Sequence, residues 1–175
     1  RPYTKNIKIL QRLKKNMLES LRELEKSDEF KKLKKEHPNA FLCGAFFILG
    51  NEQESKKDIN FCVSEKEVVS FNISDKISSM KLTVPENQKI SEIKREKIKI
   101  NQEQAIEAVK SKHNNVRFDK AIAVLQNEKD KLIWNLTLID GFTLHRFHVN
   151  AETGKLEEMK DIKLQDMMRT EKKTP

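Results

Sequence analysis

Lys131–Met159 reads KLIWNLTLIDGFTLHRFHVNAETGKLEEM, and its pattern decides the fold. Leu132 to Asp140 alternates, with Trp134, Leu136 and Leu138 on one face. Gly141 supplies a turn. Phe142 to Val149 returns, with Phe147 and Val149 at period two. Asn150 to Gly154 makes a second turn, and Leu156 to Met159 opens a third strand. Alternation over this length, punctuated by Gly and Asn, is the mark of an antiparallel meander with one buried face.

Moving toward the N-terminus, Phe118 to Gln126 reads as another strand and Asn127 to Asp130 as its turn. Asn101-Gln-Glu-Gln104 resembles a capping box and opens a helix whose apolar face is Ala105, Ile106, Val109 and Ala108. His113-Asn-Asn115 ends it. Pro85 to Ile100 reads as a connector anchored by Ile90, Ile93, Ile98 and Ile100, with a short strand at Lys97–Ile100. At the C-terminus, Ile162 to Met168 is expected to form a last short helix, followed by a tail from Arg169 to Pro175.

The first half repeats the same grammar. Ile7 to Glu25 is expected to be one amphipathic helix, with Ile7, Leu10, Met17, Leu21 and Leu24 in three-four spacing. Ser27 caps a second helix that buries Phe30 and Leu33 and stops at Pro38-Asn39. Ala40–Leu49 is a strongly apolar strand, Asn51–Lys57 a polar loop, and Ile59–Ser64, Val68–Ile73 and Ser78–Val84 further strands. Capped helix, apolar strand, loop, strand, tight turn, strand thus occurs twice, from Ser27 and from Asn101. Each unit alone is too small to bury much, so the two are expected to pack together with their sheets side by side. The expected fold class is α+β: two tandem helix-on-antiparallel-sheet units with an extra N-terminal helix. The boundaries are 1–26 for the N-terminal basic helix, 27–84 for the first unit, 85–100 for the connector, 101–168 for the second unit and 169–175 for the tail.

The second unit resembles the PepSY domain family over roughly residues 99–160. The resemblance rests on the Glu103-Gln104-Ala105-Ile106 helix start, Trp134 on the second strand, and Phe147-His-Val149-Asn-Ala-Glu-Thr-Gly154-Lys-Leu156. That run is similar to the family's aromatic-x-Val-Asp-Ala-x-Thr-Gly-x-Val ending, with Asn150 in place of Asp and Leu156 in place of Val. The first unit resembles a divergent copy lacking the ending, and the whole is similar to a tandem cystatin-like arrangement. The resemblance implies a module that binds or restrains peptidases or serves in the cell envelope. It implies no catalytic residues and, for most members, an extracytoplasmic setting.

Composition narrows the chemistry. Among 175 residues, 37% are hydrophobic and 35% charged, and nine Phe, one Trp and one Tyr argue for an ordered chain. Of the net +8, a net +6 lies in Arg1–His37, where twelve Lys/Arg face six acids. A basic helical segment suits a solvated face, a nucleic acid, an anionic surface or an acidic partner. The candidate contacts for an anionic partner are Lys14, Lys15, Lys31, Lys32, Lys34 and Lys35. Tyr3 and Phe30 are the only aromatics interleaved with them, and no RNA-binding signature is present. The N-terminal helix is expected to pack on the body, with a homodimer helix or a membrane-surface helix as its alternatives.

No Gly-rich phosphate loop, Gly-x-Ser-x-Gly or His-Glu-x-x-His occurs. His37 and His113 sit at helix ends, where a cation suits the dipole. His145 and His148, three apart on one strand, point to opposite faces and cannot chelate one metal locally. Cys43 and Cys62 form no CxxC pair and are expected to be reduced core thiols, with a cross-strand bridge as the alternative. The expected role is therefore non-enzymatic, with no cofactor, no metal site and no catalytic residue. Two partner classes stand open: another protein, such as a peptidase or envelope protein, or a nucleic acid or anionic surface. No run of about 18 apolar residues, the length that would span a membrane, occurs in the sequence. The chain begins Arg1-Pro2 rather than with Met, so the expected compartment is cytoplasmic if the chain is complete and extracytoplasmic if a leader has been removed.

Overall fold

The structure, a computed structural model, describes residues 15–50 and 55–163. Eight antiparallel strands form one sheet: β1 (Phe41–Leu49), β2 (Lys56–Ser64), β3 (Glu67–Asn72), β4 (Ser78–Thr83), β5 (Lys120–Glu128), β6 (Lys131–Asp140), β7 (Thr143–Asn150) and β8 (Leu156–Lys163). Their order across the sheet is β4-β3-β2-β1-β5-β6-β7-β8. The join at the centre is β1 with β5, where Ala45 to Leu49 runs opposite Leu125 to Ala121. Among the described residues three helices accompany the sheet: α1 (Met17–Glu25), α2 (Asp28–Glu36) and α3 (Gln102–Lys112). Among the described residues no helix is long and apolar enough to cross a membrane.

Alternation sets which face is buried. Phe47, Ile59, Phe61, Phe71, Leu125, Trp134, Leu136, Phe147 and Val149 form one core with Met17, Leu21, Leu24, Leu33 and Val109 from the helices. Phe30 packs on Phe61 and Phe71, with ring centroids 5.0 and 6.2 Å apart. Trp134 has no exposed surface, and its Nε1–H donates to the Ile100 carbonyl at 2.7 Å. That bond satisfies the one polar atom of the indole and pins the connector under the sheet. The isoleucine anchors behave as expected: Ile93 and Ile98 are buried, and Ile90 and Ile100 are partly so.

The turns follow their residues. Lys129 and Asp130 both adopt positive φ, 48° and 66°, and join β5 to β6 in a two-residue hairpin. In the Asn150–Gly154 turn, Asn150 Oδ1 accepts from the Glu152 and Thr153 amides. Thr153 Oγ1 accepts from Lys155. Gly154 lies at φ 74°, with Ile100 Cδ1 3.3 Å from where a Cβ would sit. The Asn, Thr and Gly of that motif are thus each required by one local bond or angle.

Several expectations are corrected. The single helix over Ile7–Glu25 is interrupted, because Asn16 is an extended N-cap whose side chain accepts from the Glu19 amide while Glu19 returns to the Asn16 amide. The helix therefore starts at Met17, and residues 1–14 lie outside the described residues. The last helix over Ile162–Met168 is not formed at its start, since β8 carries Ile162 opposite Leu144. Pairing with β7 overrides a short apolar helical pattern that has no cap, and residues 164–175, including the tail, lie outside the described residues. Arg95–Lys97 is a 3₁₀ turn rather than the start of a Lys97–Ile100 strand. The Lys99 and Ile100 amides instead share the Ala151 carbonyl. The Asn51–Lys57 loop ends earlier than expected, because Lys56 and Lys57 already belong to β2.

The fate of α1 follows from its burial. Met17, Leu21 and Leu24 are 0–1% exposed, so this helix packs on the body. Its first amide donates to Gln102 Oε1 at 3.1 Å, tying it to the start of α3. At its other end Glu25 pairs with Arg95.

Candidate binding surface

The sheet ends at β4, and no described residue pairs with its outer edge. All six residues of β4 are exposed, Met80 by 59% and Leu82 by 40%. The Val84 amide donates to the Lys66 carbonyl at 2.9 Å. Because hydrogen-bonded and non-bonded pairs alternate along an antiparallel ladder, the amides of Met80 and Leu82 also point inward to β3. Those of Ser79, Lys81 and Thr83 point outward, free of the ladder. An edge of this kind accepts a further strand.

Each side of β4 faces a recess. On the helix side a groove of about 270 Å³ lies between β4 and α2, lined by Lys32, Leu33, Glu36, Ser79 and Lys81. On the other side Met80 and Leu82 stand opposite Ser70 and Val68. Val68 belongs to a small apolar cluster with Cys62 and Val84, packed by Phe41, Cys43 and Ile90. The Val84–Ile90 stretch crosses this face and leaves clefts of about 400 and 720 Å³ on its two flanks.

Both cysteines lie under that crossing, and both are free thiols. Cys62 is buried and Cys43 is half-buried at a bulge in β1, its Sγ–H donating to the Asn60 carbonyl at 3.4 Å. Burial pushes the Cys43 thiol up to about 12 and raises that of Cys62. Such thiols are poor nucleophiles. Among the described residues no three His, Cys, Asp or Glu side chains converge as a metal site would require. His145 meets Asp161 at 2.8 Å, while His148 faces Glu128 at 3.8 Å. The strand register puts these two histidines on opposite faces, as their spacing predicts.

The candidate anionic-partner lysines are spread over several jobs. Lys14 lies outside the described residues. Lys15 bonds Glu23 at 2.7 Å, Lys31 faces Asp28 at 3.6 Å and Lys32 faces Glu36 at 3.9 Å. Lys34 donates to the Pro38 and Ala40 carbonyls at 2.8 and 3.0 Å, closing the end of α2. Lys35 is exposed. Lys31, Lys32, Lys34 and Lys35 share one helix, but three of them have partners within the chain. Sequence reasoning did not single out Met80, Lys81 or Leu82. Their alternation marks a strand, but nothing local marks it as the last one in a sheet.

No protein-family model matches the chain, and no curated protein matches its sequence. Among solved structures it is similar to a Clostridium difficile 630 protein described as a "putative lipoprotein". The TM-score is 0.56 and the identity 9%, over 77% of this chain and 91% of that one. At that identity the likeness concerns the fold: an α+β chain with a large antiparallel sheet and few helices.

Proposed function

We propose that the chain is a non-enzymatic protein-binding module made of two tandem PepSY-like units, and that it captures an extended segment of a partner protein on the outer edge of β4. The observation that carries this reading is the edge itself: six consecutive exposed strand residues whose outward amides at Ser79, Lys81 and Thr83 have no ladder partner among the described residues. An added strand sends alternate side chains to the two faces. One set meets Met80 and Leu82, and the other meets the Lys32, Glu36 and Lys81 groove, so the segment it fits alternates apolar and polar residues. A peptidase is the partner class that the family resemblance implies.

The test is retention of proteins from a source lysate on the immobilised chain, at low and moderate salt, with Lys81→Pro alongside. Proline at 81 removes an outward amide that β3 does not use. Retention of one protein at both salts, lost in Lys81→Pro, is the expected result. Equal retention by the variant sinks the edge reading. Retention of nucleic acid alone, lost at moderate salt, points to phosphate binding instead.

A further inference from the structure

Among the described residues the sheet face opposite the helices is capped over its β1–β3 part, by the Val84–Ile90 crossing. Over the rest, no described residue covers it. Its composition there is unusual for a solvent face. In one row across the strands the register sets Lys56, Ile48, Ile122, Thr137, Arg146 and Lys160 side by side. The next row pairs Phe46 with Val124 and Val124 with Asn135, and beyond the first row Ile139 pairs with Leu144. The apolar members therefore form a continuous band over β1, β5, β6 and β7, with cations at its flanks.

We propose that this band is a docking surface for an amphipathic helix of a partner protein, one whose apolar stripe is flanked by acidic side chains. Dimensions fit. Neighbouring strands lie about 4.8 Å apart, so Ile48, Ile122 and Thr137 span about 10 Å, the diameter of a helix with its side chains. Charge fits as well. Asp58 and Glu128 on this part of the face are already engaged: Asp58 by Lys56 at 2.9 Å and Asn72 at 2.8 Å, and Glu128 by Gln126 at 2.6 Å and Asn135 at 3.0 Å. Arg146 and Lys160, both exposed, remain on the β7–β8 side. A concavity of about 240 Å³ opens beside Val124, Thr137 and Arg146. Within it Asn135 Oδ1 is buried without a hydrogen-bond partner among the described residues.

The other occupants fit less well. Residues 1–14 of this chain carry five basic residues and no acid, which the Arg146–Lys160 flank repels. Phe46, Ile48, Ile122, Val124, Ile139 and Leu144 are all half-buried, so none projects far enough to enter a bilayer. Phe46, the aromatic of the band, has the Lys56 ammonium 6.0 Å from its ring centroid, which obstructs base stacking.

Two synthetic helical peptides with the same leucine stripe, one flanked by Glu and one by Lys, test the proposal against the full chain. Anionic phosphatidylglycerol vesicles serve as a third probe, and amide chemical shifts report the site. The expected result is binding of the Glu-flanked peptide with shifts on β1, β5, β6 and β7. Arg146→Glu with Lys160→Glu, both at exposed positions, is expected to weaken it about tenfold, and Ile122→Glu is expected to weaken it further. Lys81→Pro leaves it unchanged, which separates this surface from the β4 edge. No binding of the Glu-flanked peptide, equal binding of the Lys-flanked one, shifts confined elsewhere, binding to vesicles alone, or self-association through these residues overturns it.

Discussion

Lys57 offers the sharpest test of the packing. It is 1% exposed, and its ammonium donates to the Lys15 carbonyl just ahead of α1 and lies 5.7 Å from the Phe47 ring centroid. Burial lowers its pKa from 10.5 to about 8, against the partial opposition of Glu103, Glu19 and Glu23. Below about pH 8 the lysine is protonated in both the folded and unfolded chain, and the folded state carries the cost of a buried charge. Between about 8 and 10.5 the folded chain has released a proton that the unfolded chain still holds, so stability rises with pH across that window. At about 1.4 kcal/mol per pH unit the full rise is on the order of 3 kcal/mol. Lys57→Met keeps the apolar stem and removes the charge. It gives up one hydrogen bond to the Lys15 carbonyl, worth about 1–2 kcal/mol, although Gln102 Nε2 still approaches that oxygen at 3.4 Å. The variant is therefore expected to be more stable than the parent at pH 7, by about 1–2 kcal/mol. Urea unfolding followed by fluorescence of the single, buried Trp134 measures both proteins at steps from pH 7 to 10.5. The difference between them isolates Lys57, because the remaining lysines titrate in both. A difference that stays constant over that range, or a variant that is less stable at pH 7, would refute the reasoning.

Other outcomes follow from single contacts. Gly154→Ala is expected to cost about 1–2 kcal/mol in urea unfolding, because φ is 74° and Ile100 stands 3.3 Å from the new methyl. Trp134→Phe removes the donor to the Ile100 carbonyl and leaves a void, for a loss of about 2–3 kcal/mol; thermal unfolding by circular dichroism reads it. Asn16→Ala breaks the capping box at Met17 and is expected to cost about 1 kcal/mol, with faster amide exchange confined to α1. With its pKa near 12, Cys43 is about one part in ten thousand thiolate at pH 8. Its reaction with a disulfide reagent is therefore expected to be far slower in the folded chain than in urea, and equal rates would contradict the burial.

Alternation placed the strands at Ile59–Ser64, Val68–Ile73, Leu132–Asp140 and Phe142–Val149, because side-chain period two is a local property, whereas Ala40–Leu49 was legible as an apolar run and the expected strand at Lys97–Ile100 did not form. The caps at Ser27 and Asn101 were equally legible. The cap at Asn16 was written in the same code, Asn followed by Glu three residues on, but the three-four spacing of apolar residues on both sides of Lys14 masked it. Lys57 escaped because a lysine in an inward position breaks the apolar rhythm that marks a strand. Its environment is supplied by Phe47, Lys15 and Gln102, which are far from it in sequence. The candidate lysines were easy to list, yet their partners, including the carbonyls of Pro38 and Ala40, depend on where α2 ends against the sheet.

What the sequence determined by itself is local: an α+β chain, where its strands turn, which residues face inward, and that its histidines on β7 point apart. What only the tertiary structure decided is adjacency. It set β1 beside β5, left β4 at an edge with Met80 and Leu82 exposed, and gathered Ile48, Ile122, Thr137 and Leu144 onto one face that no described residue covers. The physical reason is that strand order and edge position are fixed by hydrogen bonds between residues distant in the chain, and those bonds leave no periodic trace in the residues that make them.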